Sequence, residues 1–263
     1  MRYLIAPDKF KGSLSAAEVA QTLREAIHSV QPTAEIECLP IADGGEGTAS
    51  LLAEHLGAER RLISTVDPLG RPIEAEYFLS GTEAIVEMSA ASGLWRVLDT
   101  AKRPFEASTR GTGIVLRHLM DIGVRRVLIG LGGSATVDLG LGMAAELGYQ
   151  FLEHSGRIVD PIPARFPEIA NVIPPSDLKL PEVIGLFDVE TRLTGTNGAI
   201  YTFGPQKGLT AAEVDRLDTI IAMLVVRLES TLRTNFSDSI GAGAAAVALK
   251  GKLLTGKAAD PKG

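Results

Sequence analysis

Cysteine is almost absent. Cys38 is the only one in 263 residues, so no internal disulfide can form and the chain suits a reducing compartment. Histidine is nearly as scarce, and the four present (His28, His55, His118 and His154) have no metal-ligand spacing. No hydrophobic run approaches the length of a membrane span. The apolar start, Tyr3 to Ala6, is cut by Pro7 and Asp8 and is too short and too early for a signal peptide. Positive charge is in deficit, with a net charge of -6 and a pI near 5.3. Such a surface repels phosphate backbones, which argues against a nucleic-acid partner. What remains is a cytoplasmic protein with no membrane contact.

Two nucleotide signatures are missing as well. No G-x-G-x-x-G occurs, and no Gly-Lys-Ser/Thr follows a glycine-rich turn, so neither the dinucleotide fingerprint nor a P-loop is present. This argues against a nucleotide-dependent dehydrogenase. Glycine is abundant, with 28 residues, and aromatics make up only 5%. With 45% hydrophobic residues the chain can build one large domain or two small ones. The balance suits an α/β fold with many tight turns.

The most informative stretch is Leu128 to Gly148. Val127, Leu128 and Ile129 predict a buried parallel strand. It runs into Gly130, Gly132, Gly133 and Ser134, and the residues from Leu139 to Leu147 favour helix. A glycine-rich turn between strand and helix lets backbone N–H groups approach an anion. Ser134 and Thr136 add hydroxyls. Asp138 is either a carboxylate for a metal or proton, or simply a helix cap.

Read in order, Arg2 to Ala6 is a strand, Pro7 to Ser13 a loop, and Ser15 with Glu18 a capping box opening a helix to about Ser29. Glu35 to Leu39 is a second strand. A second glycine-rich loop, Asp43 to Thr48, precedes a helix from Ala49 to Leu56 that Gly57 ends. Leu62 to Val66, Ile73 to Leu79 and Glu83 to Met88 favour hairpins over crossovers, which places a domain boundary near residue 64. Ser89 to Leu94 reads as a small-residue turn and Thr109 to Ile122 as an amphipathic helix. Asp160 to Pro181 is an irregular proline-rich segment. Val183 to Phe187 is a strand ending at Asp188, Thr194 to Gly208 is loop-rich, and Ala211 to Leu232 is the clearest helix. Gly241 to Leu249 is small and apolar, and residues 251–263 form a frayed tail. The expected organisation is 1–63, 64–250 and that tail.

Four segments combine glycine with a polar group at a strand end: Asp8 to Ser13, Asp43 to Thr48, Gly132 to Asp138 and Phe203 to Gly208. Lys9, Lys11 and Lys207 supply positive charge. Asp43, Asp138 and Asp188 supply oxygen ligands for a hard cation such as Mg²⁺. These are the parts that phosphoryl transfer needs, since its catalysis is mainly positioning and charge neutralisation.

The segments IAPDKFKGSLSAAEVA, LPIADGGEGTA, VEMSAASGL, STRGTG, IGLGGSATVDLGLGM, TGTNGA and FGPQKG occur in this order. Together they closely resemble the bacterial glycerate kinase family, over residues 1 to about 250. The resemblance implies a two-lobed α/β enzyme, one lobe Rossmann- or flavodoxin-like with a second α/β domain inserted into it. It implies ATP and Mg²⁺, D-glycerate as substrate and 2-phosphoglycerate as product. By motif match, Asp8, Lys9, Lys11, Ser13, Asp43, Glu46, Ser134, Asp138, Asp188 and Lys207 fall at similarly filled positions. Asp43 or Asp188 is expected as base or metal ligand, and Lys9 with Lys11 at the phosphates or the carboxylate. Gly44, Gly45, Gly132, Gly133, Ser134 and Thr136 are expected in the anion cradles, with Lys207 beside them.

The chain departs from the family pattern at Val137 and Leu139, where an Asn and a Gly are usual, at Thr191 and Arg192, and at Ala246 and Val247. Family members also continue through a Thr-Gly-Glu-Gly segment that completes the first lobe, to which only Leu253 to Lys257 is faintly similar. An incomplete or homo-oligomer-dependent first lobe is therefore expected. The alternative to an active kinase is an inactive relative that binds only a ligand or a partner.

Overall fold

The computed structural model describes residues 1–189, 191–232 and the backbone of 252–255. The apolar stretch Gly241 to Leu249 lies outside the described residues, as does the expected tail apart from 252–255.

The chain begins with β1 (Arg2–Ile5), α1 (Ala16–Val30) and β2 (Glu35–Cys38). β1 and β2 pair in parallel as a two-stranded sheet. The helix starts where the capping box predicts. Ser15 Oγ accepts from Glu18 N at 3.2 Å, and the Glu18 carboxylate accepts from Ser15 N at 2.7 Å. Two orphan amides of the first turn are thus satisfied. Little is buried here. Val19 and Ala20 are the buried residues of α1, while Leu4, Leu23 and Leu39 are 63%, 43% and 45% exposed.

α2 (Thr48–Leu56) follows, ended by Gly57 in the left-handed conformation. Then come β3 (Glu59–Val66), β4 (Pro72–Ser80) and β5 (Glu83–Glu87), paired antiparallel as the hairpin pattern predicts. β6 (Arg126–Gly130) and β9 (Glu182–Phe187) join in parallel. β10 (Lys252–Thr255) pairs parallel to β9 and so is a strand inside the expected tail. The six-stranded sheet runs β10-β9-β6-β5-β4-β3. It takes in β3, while Ala49 and Ala53 of α2 pack on its Phe78 and Ile85. Residues 48–66 therefore belong with the large sheet, although most of them precede the expected boundary at 64.

The other sheet face carries the main core. Val86, Val127 and Ile129 pack there with Val115, Leu116 and Leu119 of α4 (Arg110–Asp121) and with Met143 of α5 (Leu141–Glu146). A second cluster gathers between the short α6 (Ala199–Phe203), which gives Ile200, and α7 (Ala211–Leu232), whose Leu217, Ile221 and Leu228 are fully buried with Phe151, Phe166 and Ile169. Phe151 lies on β7 (Gln150–Leu152), which pairs antiparallel with β8 (Asn171–Ile173), so the proline-rich segment carries a strand and a 3-10 turn over 163–168.

Two local expectations are corrected. Ser89 to Leu94 is not a turn, since Met88–Ser92 forms a short helix, α3, with every residue buried. Its small side chains let it lie close against the sheet. The helix after the glycine-rich turn starts at Leu141 rather than Leu139. Leu139 has φ 56, the one positive value at a non-glycine residue among the described residues, and a left-handed residue cannot continue a right-handed helix.

Candidate active site at the strand ends

Three loops meet at the C-terminal ends of β2, β6 and β9, the edge where open parallel sheets take ligands. Backbone contact brings them together. A Cβ on Gly44 would stand 2.6 Å from Leu186 O, one on Gly130 2.6 Å from Gly44 O, and one on Gly132 2.7 Å from Gly45 Cα. Gly132 N donates to Gly44 O at 3.0 Å and Leu131 N to Leu186 O at 3.0 Å. Only glycine allows three main chains to approach so closely.

On this interlock sits Asp43. Its Oδ1 accepts from Lys9 Nζ at 2.7 Å and from Gly45 N at 2.8 Å. Lys9 comes from the loop after β1, so the bond joins the ends of β1 and β2. Burial pushes the Asp43 pKa up, but the Lys9 bond, the Gly45 amide and the Lys9 and Lys11 charges outweigh it and hold it below the usual value. Asp8, Lys11, Ser13 and Glu46, on the same two loops, are exposed. Asp8 accepts from Lys9 N at 2.7 Å, and Ser13 Oγ donates to Phe10 O at 3.1 Å within its own turn. Asp188 is exposed at the end of β9. It follows Phe187, whose Cα lies 2.9 Å from where a Gly44 Cβ would be.

The turn after β6 is less of a backbone cradle than its glycines suggest. The amides of Leu131 and Gly132 are spent on the interlock, and Ala135 N donates to Ser92 O at 2.9 Å. Gly133 is exposed and Ser134 half-buried, while Thr136 is buried. Lys207, from the 3-10 turn Pro205–Lys207, reaches under it and donates to Ser134 Oγ at 3.0 Å and to Thr136 O at 2.6 Å.

Asp138 is placed differently from expectation. It is 1% exposed, and its carboxylate accepts from Thr109 N at 2.7 Å, Thr109 Oγ1 at 2.8 Å, and the amides of Gly140 and Gly142 at 3.2 Å each. No room is left for a phosphate or a metal. It pins the start of α4 to the start of α5, close to the capping role that was the alternative. Burial raises its pKa against these bonds.

Glu87, at the end of β5, was not singled out from the sequence. It accepts from Ala49 N at 2.8 Å and from Ser89 Oγ at 3.1 Å. The residue that precedes α2, Gly47, has no side chain to cap it, so Glu87 caps that helix from the end of β5. Burial raises its pKa, with the Ala49 amide and Ser89 opposing. An acidic residue closing the apolar run Ala84 to Val86 was its only signal.

Among the described residues no group of three or more His, Cys, Asp or Glu gathers to hold a metal. Asp43 and Asp188 are the carboxylates at these strand ends that could serve Mg²⁺ held mainly through substrate phosphates, which needs only one or two carboxylates. Among the described residues no helix is long and apolar enough to cross a membrane.

The chain matches the model of the glycerate kinase family over residues 3–256. It is 40% identical to a glycerate kinase of Bacillus subtilis (strain 168), covering 100% of this chain and 70% of that protein. It is 36% identical to the glycerate 2-kinase of Escherichia coli (strain K12), covering 93% of this chain and 66% of the relative. A crystal structure from Salmonella typhimurium LT2, described as that of a glycerate kinase 2, superposes with a TM-score of 0.82 at 35% identity. It covers 97% of this chain and 71% of the other. The chain thus spans about two thirds of the length of the relatives it matches.

Proposed function

The chain belongs to the glycerate kinase family, and from that premise we propose that it transfers the γ-phosphoryl group of ATP to D-glycerate, giving 2-phosphoglycerate. The observation that carries this reading is the junction of the Lys9–Asp43 pair with the Gly130–Ser134 turn. It sets cation, carboxylate and hydroxyl around one strand edge. Phosphoryl transfer asks a protein for positioning and charge neutralisation more than for covalent chemistry.

Lys9 neutralises phosphate charge and is held in place by Asp43. A carboxylate with a depressed pKa stays ionised and is a weak proton acceptor at neutral pH, because a general base works best with a pKa near the working pH. Asp43 therefore acts as the orienter of Lys9 and would be the carboxylate that holds Mg²⁺ beside the substrate phosphates, which leaves Asp188 free of the metal. When bound, that ion would supply positive charge to neutralise the charge that develops on the phosphate. Asp188, exposed at its strand end, is the group to receive the proton of the glycerate hydroxyl. Lys11 adds a second positive charge on the phosphate side.

The test is ADP release from MgATP with and without D-glycerate. Release that depends on glycerate is expected. Asp43→Asn should lower turnover about 100-fold or more through loss of Lys9 placement, and Asp188→Asn by about 100- to 10,000-fold. Full turnover in both variants would overturn these assignments, and no release from a cooperatively folded wild-type chain would overturn the kinase reading.

A further inference from the structure

We propose that Ser134 Oγ donates a hydrogen bond to the carboxylate of the acceptor acid, and that Lys207, bonded to the same oxygen from beneath, is the positioning residue that sets this donor. The proposal rests on the kinase reading and assigns the acid to this turn and the nucleotide phosphates to the Lys9 side.

Three observations carry it. Lys207 is 9% exposed, and among the described residues its partners are a hydroxyl and a carbonyl, Ser134 Oγ at 3.0 Å and Thr136 O at 2.6 Å. The nearby charge is Asp138, whose oxygens are already committed to Thr109, Gly140 and Gly142. A buried ammonium without a direct counter-ion is costly, and an anion arriving nearby offsets that cost. Second, because Ser134 Oγ accepts from Lys207, its own proton is turned to another acceptor. A donor polarised by an ammonium is stronger than an ordinary hydroxyl. Third, this donor is rigid. Leu94 N donates to Gly133 O at 2.9 Å, Ala135 N to Ser92 O at 2.9 Å, and Ser134 is bridged to Gly93.

The count of charges selects the ligand. The turn has one buried cation, one polarised hydroxyl and three amides already spent, which matches one negative charge. A triphosphate carries several, and the Lys9, Lys11 and Asp43 cluster across the junction is the place with matching groups.

Burial lowers the Lys207 pKa to about 8, with the Asp138 charge opposing. The charged groups facing it are Asp138 and, on the 98–108 segment, Lys102, whose Nζ donates to Gln206 O at 2.7 Å. The protonated form is the one that favours the anion. Affinity for the acid is therefore greatest below that value and falls as pH rises through about 8.

Trp95, the only tryptophan, follows Leu94 on the rim of this turn, so its fluorescence is a binding signal independent of turnover. D-glycerate and MgATP are titrated separately into wild type, Ser134→Ala, Lys207→Met and the double variant, each checked for a cooperative melt. Each single variant should bind glycerate about 10- to 100-fold more weakly. The double variant should be no worse than the weaker single, because the two act as one relay. MgATP affinity should change less than about twofold, and the fall above pH 8 should be absent in Lys207→Met. If Lys207→Met does not fold, Ser134→Ala alone decides. Wild-type glycerate affinity retained in the variants overturns this inference and leaves the kinase reading standing. Loss of MgATP instead overturns the assignment of the acid to this turn. Binding of neither ligand by wild type overturns both.

Discussion

The β1–α1–β2 lobe and the six-stranded sheet share one chain but differ in what holds them. The large sheet is covered on both faces, by α2 on one and by α4 and α5 on the other. Among the described residues, the first lobe has one helix on a two-stranded sheet, and Leu4, Leu23 and Val30 are exposed. Most of the stability therefore resides in the large sheet and the α7 cluster, since stabilisation follows apolar area removed from water. Yet the lobe contributes Lys9 and Asp43, half of the candidate site. Segments that open or close around ligands are drawn from the least stable part of a fold, and here that part carries the cation and carboxylate.

The sharpest separation of the two regions comes from matched truncations. Leu217→Ala, at 0% exposure on the buried face of α7, should cost about 2–5 kcal/mol through lost transfer energy and a cavity. Leu23→Ala, 43% exposed on α1, should cost under about 1 kcal/mol. Chemical denaturation read by circular dichroism gives both values. Equal losses would mean that the first lobe is buried in solution by something beyond the described residues, and the contrast would fail.

The next test strikes the junction instead of either region. A methyl at Gly132 meets Gly45 Cα at 2.7 Å and Gly45 N at 3.0 Å, both main-chain atoms that cannot rotate away. Gly132→Ala should push the Asp43 loop off the turn while leaving both clusters of the large domain intact. Displacements of about 1 Å cost on the order of 100-fold in rate. Glycerate-dependent ADP release should drop by that much, with the thermal midpoint of the large domain shifted by only a few degrees. A full collapse of the melt would show that the junction stabilises the fold as well as the site.

These contrasts follow how much of the molecule was legible. Elements with local signals were read closely. The Ser15–Glu18 box opens α1, Gly57 ends α2, and α7 spans the predicted Ala211–Leu232. The pairing of the three consecutive strands followed from their short connections. What escaped depends on residues distant in sequence. Asp138 is committed to Thr109, 29 positions away, and Glu87 caps α2 from 38 positions away; no local pattern encodes either bond. Of the four glycine-rich segments, the residues do come together, with Lys9 on Asp43 and Lys207 on Ser134. The glycines of the central turn, however, serve main-chain contact with the Asp43 loop more than anion binding, and spacing alone does not distinguish those two uses.

The smallest predicted effect probes the first lobe from within. Ser15→Ala removes the hydroxyl that accepts from Glu18 N and leaves that amide without its cap. The Glu18 carboxylate, whose pKa is lowered first by the Ser15 backbone bond and then by the Ser15 hydroxyl, loses one of two partners. A lost cap costs about 1 kcal/mol. In a region with as little burial as this one, that amount is a large share of the local opening energy, and it does not have to appear in the global melt. Amide exchange along 16–30 should accelerate about fivefold, while exchange in α4 and α7 is unchanged. Equal acceleration in all three helices would mean that α1 opens only with the whole molecule, and the first lobe would then be a full member of the cooperative core.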